Sequence, residues 1–423
     1  MVEFRALEAL EYSEEAGAFE DLISPPYDVI DAAARAKLAA KNAHNIVHVI
    51  LPEASGGMDK YAAAGALVKR WRSDGVLVAG GRAFYVIEQT FASGGKKRVR
   101  TALLGQARLA AWREGGIHPH EVTLPKPRAD RMNLYKATGV VPGPCFSLFE
   151  DAQGTVRALV EKIKTRSPYR VADGPEGSYD RIWKVTGEEE TAAITEAFEG
   201  EDFFIADGHH RYETALAYRD ELAKAGKLAD SHPANFVLMG VVPFDDAGLV
   251  MLPTHRLLCL EGERSVTESM EALASDYEME KVESLEAFSR VDEQAPAPIA
   301  LYDGKASYLL KMKAASRRAF VAEAGEVMAG LNVYEAREKV MGKFFGDVAG
   351  AIAAEHVKYT HSVQEALEAV DRKTCAAALI LSPISVRQMA EVASAGRTMP
   401  PKSTYFYPKL PTGVAIKPLT STI

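Results

Sequence analysis

FFIADGHHRYETALAYR, residues 203–219, decides how the chain is read. A short, mostly apolar run, Phe203 to Ala206, meets an Asp-Gly turn, and an Ala-Leu-Ala helical pattern opens after two histidines and an arginine. A buried strand therefore turns sharply into a helix. Gly208 lets the backbone turn and lets a ligand approach closely. The first N–H groups of a helix have no partners inside it, and that end carries partial positive charge, which suits an anion. Arg211 adds a forked donor for phosphate oxygens, and His209 or His210 adds another. Asp207, at the end of the strand, has the chemistry to hold a metal ion or to orient a hydroxyl. The plainer alternative is a capped helix, with Asp207 as N-cap and Arg211 paired on the surface with Glu213 or Asp207. Adjacent helical residues project about 100° apart, so the two histidines are a weak metal signal.

Working outward, the 423 residues suffice for two or three domains, and 47% hydrophobic with 26% charged residues supports sizeable cores. The formal net charge of −8 counts against general nucleic-acid binding, because phosphate backbones are repelled. Cys145, Cys259 and Cys375 lie far apart with no CxxC pair, which argues against a disulfide framework and a structural zinc site. The opening MVEFRALEALEYSEE has no apolar core of a signal peptide, and no stretch approaches the length of a membrane span. The expectation is a cytoplasmic protein without membrane contact. Composition says nothing of its oligomeric state.

Along the chain, SPPYDVI (24–30) reads as a rigid loop whose Tyr27 and Asp28 are able to line a pocket. Asp31 and Asp59 are positioned to cap helices running to about Lys41 and Ser73. NIVHVIL (45–51) reads as a strand, and residues 83–91 and 98–109 read as a hairpin across SGGKK. GGIHPHEVTLPKPRADR (115–131) reads as an irregular polar loop. Further strands are expected at 145–150, 181–185, 235–244, 298–302, 307–313 and 376–382, with a helix near 333–345. The mixture of hairpins and single helices indicates α+β with mixed sheets. Changes of texture divide the chain at 1–110, 111–261, 262–398 and an extended tail, 399–423, rich in Pro, Lys and Tyr. In that tail Lys402, Ser403 and Thr404 offer a phosphate clamp folded back over the site, or else an edge strand. In LPTHR (252–256), His255 and Arg256 offer an anion contact or a structural histidine.

DGHHRYETA resembles the Asp-Gly-His-His-Arg turn of the ParB/sulfiredoxin-like superfamily, particularly its free serine kinases. The resemblance implies a core of that fold in 111–261 and a smaller α/β domain after it. It further implies a turn that grips nucleotide phosphates at Gly208 to Arg211, with a glutamate from an upstream loop as base on a substrate hydroxyl. IHPHEVT is the matching loop, which puts Glu121 in that role beside His120, with Thr123 and Lys126 near the substrate or phosphates. Lys126, Arg128 and Arg131 crowd the same stretch and are equally readable as surface charge. ATP or ADP would be the donor, Asp207 would act through Mg²⁺ or orient the nucleophile, and free serine is the best guess for acceptor. One departure stands out: about 85 residues separate Glu121 from Asp207, more than in compact kinases, so an insertion must be looped out. SPPYDVI, HEVTLPKPRADR, ADGHHRYETA, LPTHR and MPPKSTYFYPK also look like a prokaryotic family of unknown function. Two other readings use the same anion site: a ParB-like nucleotide switch without turnover, and a phosphatase for a phosphorylated metabolite.

Overall fold

A computed structural model describes residues 2–112, 114–121, 125–260, 266–285, 288 and 298–420. The described chain divides into two compact units, Met1–Pro119 with Thr123–Val250 and Pro408–Ile423, and His120–Val122 with Met251–Tyr407. Sheet pairing crosses 110 freely, because Lys96–Arg108 bonds to Phe236–Pro243, and the tail is shared between the units.

The first unit is built on a ten-stranded mixed sheet. Its central order is Ile117–His118, Phe203–Asp207, Cys145–Phe149, Phe236–Pro243, Lys96–Arg108, Leu77–Ser93, Tyr179–Val185 and Arg170–Asp173. Most neighbours run antiparallel; Phe203–Asp207 is parallel to Ile117–His118, and Phe236–Pro243 to Cys145–Phe149. The hairpin across SGGKK forms with Gly94 and Gly95 at φ 58° and 73°, the two left-handed positions that a two-residue turn needs. Phe4, Phe198 and Phe203 pack edge to face, with Phe4 and Phe198 centroids 4.8 Å apart, and Phe149 lies tilted against Phe198.

The second unit carries a six-stranded antiparallel sheet in the order Tyr277–Val282, Ser307–Met312, Ile299–Tyr302, Ala377–Leu381, His255–Leu258 and Val357–Thr360. Leu257, Ala300, Ile380 and Ala366 form its core. The expected helix near 333–345 is present as Asn332–Glu335, a π-helical stretch Ala336–Met341 and Gly342–Phe345. Several sheets and separate helices make the fold α+β.

Three sequence expectations need correction. NIVHVIL holds a short helix, Val47–Ile50, rather than a strand. Asn45 decides this: its side chain accepts from Val47 N–H and donates to the Asp21 and Ile23 carbonyls, so the chain coils. The last part of the loop expected at 115–131 belongs to the helix Pro125–Thr138, whose first residue is a proline that needs no N–H there. Cys259 and Cys375 are joined by a disulfide despite a sequence separation of 116. Leu258 and Ala377 face each other on adjacent antiparallel strands, which brings the two cysteines beyond them together.

Candidate functional site

Phe203–Asp207 ends at the corner as an interior strand, with Phe203 and Ile205 fully buried. The register on Cys145–Phe149 shifts between Ile205 and Asp207, so the strand releases there. Gly208 takes φ 90°, and a Cβ on it would lie 3.0–3.2 Å from the Arg211 guanidinium. Only glycine satisfies both demands without strain. The helix His209–Lys224 follows, and its first internal bond runs from Tyr212 N–H to Gly208 O at 2.9 Å.

The chemistry of the corner lies in a buried charge cluster. Asp207 accepts from Arg211 Nη2 on one carboxylate oxygen and from Lys409 Nζ on the other. Arg211 Nη1 donates to the Pro144 carbonyl. The side chains of Asp207, Arg211 and Lys409 are 14%, 8% and 4% exposed. Burial alone would raise the Asp207 pKa; the charges of Lys409 and Arg211 outweigh it and hold the carboxyl well below the usual range. Burial likewise works against the Arg211 cation, and Asp207 keeps it charged. Asp207 thus bonds both cations at a helix end that favours anions, and Asp28 adds a further attraction on Arg211. The free thiol of Cys145 packs beneath, its Sγ 3.6 Å from the Gly208 carbonyl, with its pKa pushed up to about 12 by burial.

This geometry revises two expectations. Arg211 does not offer its fork outward, because Nη1 and Nη2 are engaged with Pro144 and Asp207. Asp207 does not fit the role of a Mg²⁺ ligand, because both of its oxygens are already bonded to cations. Among the described residues no group of three or more His, Cys, Asp or Glu stands ready to hold a metal ion. The pairing of Arg211 with Asp207 named in the plainer alternative is present, but it is buried rather than on the surface. His209 is buried near Trp112, their rings 6.5 Å apart, and the His210 carbonyl accepts from Thr214 Oγ1 at 2.6 Å.

Lys409 is the residue that sequence reasoning missed. Pro408 and Lys409, from the tail, lie at this corner. Lys409 N–H donates to Glu176 Oε2 at 2.8 Å, and Gln89 Nε2 donates to the Lys409 carbonyl at 3.3 Å. Buried Arg100 donates through Nη2 to Gln89 Oε1 and to the Pro408 carbonyl, both at 2.5 Å. The only sequence signal was a lysine after proline in an extended tail. SPPYDVI meets the same corner: Tyr27, Arg131, Tyr135 and Thr412 share a small recess with Arg211, and the Arg131 guanidinium sits 4.1 Å over the Tyr27 ring. Asp28 is exposed and does not line it. Arg128 donates to Glu213 at 3.4 Å on the corner helix.

The other candidate residues gather in the second unit. Glu121 makes a parallel bridge to Met399, and Met399 N–H donates to the His120 carbonyl at 2.7 Å. Lys402 N–H donates to Glu121 Oε1 at 3.0 Å, from a backbone held at φ 61°. A lysine there is strained, so surrounding structure must hold it. His120 is buried, with Nε2 2.8 Å from Thr404 Oγ1, and Ser403 Oγ donates to the Pro400 carbonyl at 2.6 Å. Arg256 Nη2 donates to the Lys402 carbonyl at 3.2 Å. Burial lowers the Arg256 pKa to about 10, against the opposing pull of Tyr359 and Glu121. His255 is the structural alternative, accepting from Leu381 N–H at 3.2 Å, with burial lowering its pKa to about 4. Glu121, His120, Lys402, Ser403 and Thr404 thus form one cluster, and residues 207–211 with Lys409 form another. Thr123 and the side chain of Lys126 lie outside the described residues.

Residues 4–334 match the family described as "Protein of unknown function (DUF1015)". The chain belongs to that family. The tail motif MPPKSTYFYPK lies beyond the matched residues. No curated protein matches this DUF1015 chain. Three solved structures are distant neighbours. A conserved hypothetical protein from Pyrococcus furiosus is 14% identical, covering 71% of this chain and 92% of its own, with a TM-score of 0.37. A free serine kinase in complex with AMP is 13% identical, covering 72% and 88%, with a TM-score of 0.38. SbnI from Staphylococcus aureus, truncated at its C-terminus, is 12% identical, covering 75% and 87%, with a TM-score of 0.36.

Proposed function

We propose that this DUF1015 protein is a nucleotide-dependent kinase for the hydroxyl of a small metabolite, free serine being the best guess. The observation that carries the reading is the Asp207–Arg211–Lys409 cluster beneath the first turn of the helix His209–Lys224. A carboxylate that holds two cations beneath a helix start makes a rigid seat, and the helix end itself favours phosphate oxygens. Backbone N–H groups of His209 and His210, with Gly208 allowing close approach, make the contacts. Arg211 and Lys409 act from below as fixed charges, and Asp207 positions both. The ParB/sulfiredoxin-like core is part of this proposal and rests on the DGHHR turn.

Glu121 is the proposed base. Lys402 N–H donates to Oε1 of its carboxylate, and the carboxylate takes the proton of a serine-like hydroxyl as the serine oxygen attacks the terminal phosphoryl group. The new bond is serine Oγ to phosphorus. The bond that breaks joins phosphorus to the bridging oxygen, and the shortened nucleotide leaves with that electron pair. Catalysis requires Glu121 and the corner to face one substrate.

The test is direct. The purified chain is incubated with Mg²⁺, ATP or ADP, and a panel of hydroxy amino acids, and phosphorylated product is measured. The expected result is serine-dependent turnover that Glu121→Gln lowers by at least about a hundredfold while nucleotide affinity stays within about twofold. Nucleotide binding without acceptor-dependent turnover would leave a switch; phosphoserine consumption without nucleotide would leave a phosphatase.

A further inference from the structure

A second recess in the first unit has a different construction. It measures about 350 Å³ and is lined by Arg5, Glu8, Arg82, Gln106 and Lys417 with Pro233. Sheet register brings these groups together: Arg5 lies opposite Gln106, and Glu8 opposite Arg82, on paired strands. Lys417 comes from the far end of the chain, on the short strand Lys417–Pro418 that pairs with Val140–Val141. None of these residues belongs to the corner described above.

The charge balance of the recess is what asks for a ligand. Among the lining residues three cations stand with one carboxylate, in a chain whose formal charge is −8; outside the lining, Glu3 forms a 3.5 Å ion pair with Arg5 Nη1. Lys417 is 1% exposed, and its Nζ donates only to carbonyls, Pro233 O at 2.8 Å and Pro418 O at 3.3 Å. No carboxylate among the described residues forms an ion pair with it. The Arg5 guanidinium sits 3.6 Å over the Phe236 ring, and its buried Nε has no hydrogen-bond partner. Arg5 feels Glu3 and Glu8 as attractive charges and Arg82 and Arg108 as repulsive ones. Burial pushes the Lys417 pKa down to about 7, Arg5 pushes it further and Glu8 opposes. A buried ammonium beside a like charge is costly unless something negative joins it.

We propose that this recess is a binding site for a small, multiply charged oxyanion, with Lys417 as the buried contact and Arg5 and Arg82 closing on it from the rim. Its size admits a metabolite-scale ligand and not a polymer. Phosphates and dicarboxylates share the required chemistry.

Titration calorimetry on the full chain in a zwitterionic buffer tests this, with inorganic phosphate, pyrophosphate and succinate as probes. Wild type is compared with Lys417→Met and Arg82→Gln. The expected result is saturable binding of one probe, weakened at least about tenfold by Lys417→Met and about threefold or more by Arg82→Gln. The probe that binds assigns the ligand to the phosphates or the dicarboxylates. Arg82 is exposed, so its variant keeps the test decisive even if Lys417→Met fails to fold. Absence of saturable binding by all three probes overturns the proposal, and so does binding that neither substitution weakens.

Discussion

Asp207 is a residue whose surroundings define its role. With Lys409 and Arg211 on its two oxygens, its removal leaves two buried cations without an anion. Asp207→Asn is expected to destabilise the chain by about 3–5 kcal/mol, measured by denaturant unfolding. Adding Lys409→Met should return part of that loss, and the coupling in the double-mutant cycle measures the pair. The sign with pH follows from the lowered carboxyl pKa: the stabilisation is full above the unfolded carboxylate range and fades as pH falls below about 4. The penalty of Asp207→Asn should shrink over the same fall. Gly208→Ala forces an L side chain to φ 90° against Arg211, so a loss of about 1–3 kcal/mol and weakened nucleotide binding are expected. Much of this corner was legible, because strand, Asp-Gly turn and helix start leave local marks. Lys409 was not: its partner lies 202 residues away, and no periodicity records a contact of that range.

Elements with local signals read well from sequence, and those fixed by distant partners did not. Asp31 and Asp59 cap their helices as expected, through Ala34 N–H at 2.7 Å and through Tyr61 and Ala62 N–H at 2.8 and 3.0 Å. The SGGKK hairpin read correctly because two successive glycines specify its turn. NIVHVIL misled because a short apolar run lacks a decisive period, and the bonds of Asn45 to Asp21 and Ile23 are invisible in it. The cysteine pairing was hidden for a like reason, since strand adjacency sets it. Reducing the Cys259–Cys375 bridge releases a loop of more than a hundred residues, so the second unit should lose about 2–5 kcal/mol. Faster hydrogen exchange across His255–Leu258 and Ala377–Leu381 on reduction would register it; unchanged exchange would show that the bridge adds little.

At the scale of the whole molecule, buried charge dominates the expected response to pH. Lys417 titrates near 7 in the folded chain and near 10.5 when unfolded, so the unfolded state binds more protons between those values. Its penalty on stability is full below about pH 7 and lifts as pH rises towards 10.5, by up to about 1.4 kcal/mol per unit. Lys417→Met should therefore raise stability more at pH 6 than at pH 10, read by parallel unfolding curves. Bound oxyanion would flatten that difference. Among the described residues no helix is long and apolar enough to cross a membrane, and the sequence pI is about 5.8. The Asp207–Arg211 corner and Glu121 belong to different compact units, and the proposed kinase needs both at one substrate. A crystal structure of the chain with ADP and serine tests that demand most directly. The expected result places phosphate oxygens about 2.7–3.2 Å from the backbone nitrogens of His209 and His210, with a Glu121 oxygen in hydrogen-bond reach of the serine hydroxyl. Nucleotide bound away from Gly208, or Glu121 turned from a serine lying beside the terminal phosphate, would contradict it.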